Sequence, residues 1–193
     1  PRTIFNANIT PQRRVATQVT SLARMKAIGD ASGGSVNDVL LAACGAALRR
    51  YLAEIDKLPG KSLVASVPVA LPRDANEAGG NAISFANVRL GTDIEDVRER
   101  FEMIRRSSAA GRAYLKQMSS TALIDYTVLI SSPQMLTRLP GIGSRVPPIY
   151  NVIISNVPGP DRPLYFRGAE LLAIYPASIV THGQALNITC QSC

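Results

Sequence analysis

The sequence has little of what most catalytic sites are built from. Its 193 residues include one histidine, three cysteines and no tryptophan, and aromatic residues make up 5% of the chain. A single histidine excludes any mechanism that uses two. It leaves His182, in "VTHGQA", as the sole imidazole for acid–base work. A general base needs a positioned partner, and no orienter is evident near it. A solvated residue in a turn between strands is the plain alternative. There is no Gly-x-Ser-x-Gly elbow, no P-loop and no dinucleotide-binding glycine pattern.

Cys44, Cys190 and Cys193 do not make a disulfide framework, which fits a reducing compartment. Cys44 sits in an apolar helical pattern and reads as a small buried hydrophobe. Cys190-Gln-Ser-Cys193 has redox or zinc spacing. However, it closes a strand where a redox pair would open a helix, and a structural zinc site takes two close ligand pairs. No metal is expected. No apolar run reaches the length of a membrane-spanning helix, and no secretory signal opens the chain. Without one, the Asn-Ile-Thr sequences at Asn8 and Asn187 carry little weight as glycosylation sites. Pro1 at the start and a strand-like run at the end suggest a piece of a longer protein.

Lysine is also scarce. Only Lys26, Lys57, Lys61 and Lys116 occur, so the net charge of +7 is mostly arginine. Pairs such as Arg13-Arg14, Arg49-Arg50 and Arg105-Arg106 suit phosphates. No basic strip interleaved with aromatics points to nucleic acid. A phosphorylated ligand or an anionic membrane surface would satisfy the same charge.

What is present is a globular composition, 46% hydrophobic and 18% charged. Residues 14–20 alternate enough for a strand. Ser21 caps a short helix to about Ala31, which breaks at Ser32-Gly33-Gly34. Ser35 starts the strongest helix, with Val39, Leu40, Ala43, Cys44, Ala47, Leu48, Tyr51, Leu52 and Ile55 at helical spacing. "SLVASVPVAL" (62–71) reads as a strand, with Pro68 at an edge, bulge or strand end. "PRDANEAGGN" is a loop, and "AISFANVRL" (82–90) a second strand. Asp93 is the expected cap of a long charged helix to about Met118, with Ile94, Val97, Phe101 and Ile104 as its buried stripe. Glu95 and Glu99 would pair with nearby arginines on its wet face. A helix from about Ser120 to Leu139 is apolar nearly all round and is expected to break near Pro133. Three strand-like segments follow: "YNVIIS", "LYFRGAELLAIYP" and "ALNITCQS". The pattern predicts an α/β layered fold with a mixed sheet and helices on one face.

Two stretches stand out. In "GGSVNDVLLA", Ser35 and Asp38 form a Ser-x-x-Asp capping box before an apolar helical run. Support of the helix start accounts for Asp38; the functional alternative is that Asn37 and Asp38 line a ligand channel. In "YNVIISNVPGP" an apolar strand ends in Ser155 and Asn156, then in Val157-Pro158-Gly159-Pro160. The prolines donate no backbone hydrogen bond and push their neighbours to extended geometry. The strand would stop there and present its last polar side chains at the sheet edge, where binding residues often sit. A rigid turn that merely steers the chain is the alternative.

"SVNDVLLAACGAALRRYL", "VASVPVALPRD", "YNVIISNVPGP" and "PLYFRGAELLAIYPASIVTHGQALNIT" in this order resemble the C-terminal half of the bacterial wax ester synthase/acyl-CoA:diacylglycerol acyltransferase family. The resemblance covers roughly residues 14–193. It implies one lobe of a two-lobe, chloramphenicol acetyltransferase-like CoA-dependent acyltransferase, with residues 1–193 forming a single incomplete C-terminal lobe. It implies transfer of a fatty acyl group from acyl-CoA, as substrate with no bound cofactor, to a long-chain alcohol or diacylglycerol. The family's His-His-x-x-x-Asp-Gly motif has no match here, so the catalytic histidine would lie in an N-terminal lobe, the expected partner, and this chain alone would be inactive. Ser155 and Asn156 would face the thioester or pantetheine arm, with Asn37 and Asp38 supporting the tunnel. The resemblance also implies a cytoplasmic protein that visits the inner membrane face or lipid inclusions. Two other readings stay open: a non-catalytic acyl-CoA, lipid or docking module, and an unrelated α/β domain that holds a phosphorylated ligand through arginines.

Overall fold

A computed structural model of the chain describes residues 1–70, 83–136, 147–160 and 162–192, with only the backbone of 120, 131 and 133–136. The expected loop at 72–81, the end of the last helix at Leu139 and Cys193 lie outside the described residues.

Four strands form a mixed sheet in the order β2-β1-β3-β6: β1 (Val64–Ala70), β2 (Ile83–Arg89), β3 (Val152–Pro158) and β6 (Asn187–Ser192). β1 and β2 are antiparallel with Ala65 opposite Val88, while β1–β3 and β3–β6 are parallel. Between β3 and β6 lies a two-residue hairpin, β4 (Tyr165–Phe166) with β5 (Ala169–Glu170). The expected long strand over "LYFRGAELLAIYP" is therefore reduced to this hairpin and an extended segment. The helices are α1 (Leu22–Ala31), α2 (Val36–Glu54), α3 (Val97–Lys116) and α4 (Ser120–Leu136). Residues 14–20 form no strand.

Alternation along the strands sorts the two faces. Ala65 and Val67 of β1, Val88 of β2, and Val152 and Ile154 of β3 are buried in one cluster with Leu40, Leu41, Leu48 and Leu52 of α2 and Ile104 of α3. A second cluster joins Ala86 of β2 to Leu115 of α3 and Leu123 of α4. All three helices thus cover one face, as the pattern predicts. Pro68 occurs inside a strand of this sheet because pairing with β3 is confined to Ala65 and Ser66. Val64 turns its backbone toward Asn151 beside β3, and Pro68 shares its parity. The missing donor faces the side where no neighbour follows.

The helix starts follow local chemistry. Ser21 caps α1 through Arg24 N–H, and Ser35 caps α2 in a full capping box with Asp38. Between them Gly33 takes φ +64°, and the Gly34 N–H returns to the Gly29 carbonyl at 2.9 Å, closing α1. α3 departs from expectation. Its cap is Asp96, whose Oδ1 accepts from the N–H groups of Arg98 and Glu99, while Asp93 pairs with Arg89 at 3.7 Å. Val97, at the helix start, is exposed, Phe101 is half-buried beside Gly34, and Arg100, Ile104, Ser108 and Leu115 face inward. Arg100 is kept inside by donating to the Ile94 carbonyl. Glu102, rather than Glu95 or Glu99, pairs with Arg105 and Arg106. α4 continues through Pro133 to Leu136 and does not break there.

A buried amide pair closes the far end of the sheet. The Asn151 side chain accepts from Val64 N–H (2.9 Å) and donates to Asn6 Oδ1 (2.8 Å) and the Pro1 carbonyl (2.6 Å). Asn6 donates in turn to the carbonyls of Tyr150 and Gly183, both at 3.1 Å. Asn151→Ala strands Val64 N–H, at a cost of about 1–3 kcal/mol, and also removes the bonds to the Pro1 carbonyl and to Asn6 Oδ1, which keeps its contacts with Thr3. Urea unfolding of this variant is expected to show a loss of about 2–4 kcal/mol on that basis; a loss within experimental error would remove the pair from the account of the fold.

Candidate functional site

The head of α2 meets the sheet at a cavity of about 440 Å³. Val67, Val69, Ala86 and Val88 form an apolar floor, with Ser35, Asn37, Ser108 and Arg112 among its polar lining. The position follows from the fold. β1 carries the floor toward its C-terminal end, α2 begins above it, and α3 supplies the opposite wall. Gly34 makes the approach close, because a Cβ there would stand 2.7 Å from the Phe101 ring of α3.

Asp38 lies behind Asn37 and is 2% exposed. Its Oδ2 accepts from the Ser35 N–H (2.9 Å) and hydroxyl (2.7 Å). Its Oδ1 is buried without a standard hydrogen bond, and Arg112 Nη1 stands 3.7 Å from it. Burial pushes the carboxyl up. The Ser35 backbone and hydroxyl, the Ser108 hydroxyl and the Arg112 charge outweigh it and hold Asp38 below the usual carboxylate range. Arg112 Nη1 also donates to Ser108 Oγ at 2.5 Å. Asp38 is therefore both the capping-box partner of Ser35 and the buried anion of a small charged cluster. Asn37 lines the cavity and Asp38 stands behind it.

The β3 candidates divide. Ser155 and Asn156 are consecutive, so their side chains leave on opposite faces. Ser155 Oγ donates to Thr189 Oγ1 of β6 at 3.2 Å on the face opposite α2, α3 and α4. Asn156 shares the face of Val152 and Ile154, and its Oδ1 is buried without a partner. The strand does not end at Asn156. Val157 and Pro158 still pair with Gln191 and Ser192, and Gly159 N–H bonds the Ser192 carbonyl at 2.7 Å before Pro160 leads the chain away. The proline removes one donor from the ladder, but the parallel partner runs alongside far enough to keep the pairing.

His182 is exposed in the turn Thr181–Gln184, and its Nδ1 accepts from Ile9 N–H at 3.3 Å. It anchors the N-terminal segment and stands away from the cavity lining. Cys44 and Cys190 are free thiols beside the main core, and burial first, then the neighbouring Cys190, pushes Cys44 up to about 12. Among the described residues no cluster of histidine, cysteine and carboxylates could hold a metal, and no helix is long and apolar enough to cross a membrane. Ser108 and Arg112 were not legible as site residues, since they meet the cavity only through the packing of α3 against α2 and the sheet.

Residues 79–193 match the WS/DGAT C-terminal domain family, and residues 1–40 match the wax ester synthase/diacylglycerol acyltransferase catalytic domain. A Mycobacterium tuberculosis protein named as a diacylglycerol O-acyltransferase is 43% identical over the whole chain, which covers 43% of it. The O-acyltransferase WSD of Acinetobacter baylyi is 40% identical over the whole chain, which covers 42% of it. The solved wax ester synthase/diacylglycerol acyltransferase of Marinobacter aquaeolei VT8 superposes with a TM-score of 0.86 at 39% identity, over all of this chain and 43% of that one. The chain thus spans less than half the length of the relatives it matches.

The cluster has a consequence in acid. A depressed folded-state pKa stabilises the fold above the unfolded value, about 3.9 for Asp, and that contribution is lost as pH falls through the folded value. Asp38→Asn is expected to be less stable than the parent at pH 7, with the difference shrinking below about pH 4. Urea midpoints across pH 2.5–7 check this, and a constant difference would contradict it. In the same folded protein at pH 8, Cys44 should resist iodoacetamide until denaturant is added, as peptide mass mapping would reveal.

Proposed function

The chain belongs to the wax ester synthase/diacylglycerol acyltransferase family, and we propose that it forms the C-terminal part of an O-acyltransferase moving a fatty acyl group from acyl-CoA to a long-chain alcohol or diacylglycerol. The observation that carries this reading is the cavity at the head of α2. An apolar floor suits an alkyl chain, and the polar groups beside it suit the thioester end. The floor lies toward the C-terminal end of a sheet strand, where α/β folds commonly bind ligands.

In this reading the general base lies outside these 193 residues. It takes the proton from the acceptor hydroxyl, the oxygen attacks the thioester carbonyl, and CoA leaves as the thiol. This chain contributes shape and polar positioning. Asn37 at the cavity and Asn156 on the same side of the sheet face the reacting end; Asp38 holds the helix start. Ser155 remains with β6, while Val157, Pro158, Gly159 and Pro160 carry the chain away from the site. Large apolar side chains of 164–179, among them Phe166, Leu172 and Ile179, are exposed. They belong against the other half of the enzyme, because such patches normally mark an interaction site. The same reading places the parent enzyme where its water-insoluble products collect, at the inner membrane face or at lipid inclusions.

Transfer from palmitoyl-CoA to hexadecanol tests the proposal, first by this chain alone, then by the chain joined to the catalytic-domain half of the Marinobacter enzyme. Transfer is expected only from the joined protein. Transfer by the chain alone would overturn the assignment of the base to another part of the enzyme. In the joined protein Asn156→Ala should lower kcat by about a hundredfold if its amide meets the developing oxyanion. Unchanged kcat in a folded variant would exclude Asn156 from the site.

A further inference from the structure

The fold uses only part of Arg112, as the counter-charge of Asp38 and a donor to Ser108. Arg112 lines the cavity beside Asn37, and its side chain is 38% exposed. A guanidinium has five N–H donors. Among the described residues Arg112 uses one hydrogen bond, from Nη1 to Ser108 Oγ. Asp38 is close enough to fix its charge yet, at 3.7 Å, not hydrogen-bonded to it. The pair is looser than a direct, hydrogen-bonded ion pair. Asp38 Oδ1 is buried and takes no hydrogen bond from Arg112, while Ser35 already bonds the other carboxylate oxygen. A shift of Arg112 inward would satisfy Asp38, while the observed position keeps the fork at the cavity. A buried polar atom left unsatisfied in a native fold calls for an explanation.

We propose that Arg112 is a substrate-binding residue whose free guanidinium N–H groups hydrogen-bond the carbonyl oxygen of an acyl thioester in this cavity, with Ser108 and Asp38 orienting the fork. The inference rests on the acyltransferase reading above and adds the atom that is recognised. Asn37 lines the same cavity, so the carbonyl oxygen meets a fixed positive group next to a neutral amide. The binding energy falls on the oxygen that gains charge when the thioester is attacked, which favours the transition state over the bound substrate. Ser108 and Asp38 do not touch substrate in this scheme; they are positioning residues.

The test isolates one oxygen atom. Palmitoyl-CoA and S-hexadecyl-CoA have the same chain length, and the second, a thioether, lacks the carbonyl oxygen. Both are titrated calorimetrically into the whole 193-residue chain. The parent should prefer the thioester by about ten- to a hundredfold, the range of a hydrogen bond from a charged donor. Arg112→Met should bind both ligands alike, with the affinity the parent shows for the thioether. Because that variant leaves Asp38 buried without its counter-charge, the double variant Arg112→Met/Asp38→Asn is measured beside it, with the same expectation. A preference retained in either folded variant overturns the proposal. So does an equal weakening of both ligands, which would mean Arg112 acts only through the shape of the site. A parent that binds both ligands equally also overturns it and leaves the acyltransferase reading standing. A parent that binds neither instead overturns acyl-CoA recognition by this half, and the inference with it.

Discussion

The hydrogen bond between Asn151 and Asn6 ties the central sheet to the start of the chain. It joins residues 145 positions apart and sits where three chain segments converge. Asn151 opens β3 and satisfies the first backbone donor of β1. Asn6 ties the N-terminal turn to the carbonyls before β3 and before β6. The neighbouring backbone bonds, from Gly183 to Ala7 and from Ala185 to Phe5, extend the same clasp. Parallel strands cannot be set in register by a tight turn. Here the register of β1 against β3 is set from one end by side-chain amides. An amide offers a donor and an acceptor at fixed geometry, so it fixes position more sharply than apolar packing does.

At the other end of the sheet, stability and chemistry share residues. Asp38 is the acidic partner of a capping box, and that role alone would leave it at the surface with its charge in water. α3 buries it instead, and Arg112 balances the charge. The helix start, the charged cluster and the cavity are one construction, so a change at Asp38 reaches all three. Asn37 is placed at the cavity because the box at Ser35 sets the phase of the first turn.

Legibility followed the range of the interactions. The starts of α1 and α2 were readable because Ser21 and Ser35 act on backbone groups a few residues away. The strands β1 and β2 and the one-sided helix layer followed from periodicity. The start of α3 was misread because two aspartates three residues apart both suit a cap, and the turn stabilised by Arg100 decides between them. Continuation of α4 through Pro133 and of β3 through Pro158 went against local propensity, since the neighbouring structure carries those segments on. The family resemblance was readable in motif order. The division of Ser155 from Asn156 followed from strand geometry once the strand was extended past them. The Asn6–Asn151 pair and the inward turn of Arg112 were not readable, because each depends on partners brought together by the whole fold.

The two ends of the central sheet therefore have different tolerances to change. One end holds the strands in place through amides that accept few substitutes, so variation there is lost through misfolding. The other end surrounds a cavity lined also by half-buried side chains such as Val69 and Asn37, where a change of volume leaves the clasp untouched. Drift in sequence can accumulate at the cavity while the register stays fixed. A lineage of such chains could diversify in what it accepts without having to refold, and a designer seeking altered ligand shape has a natural place to begin.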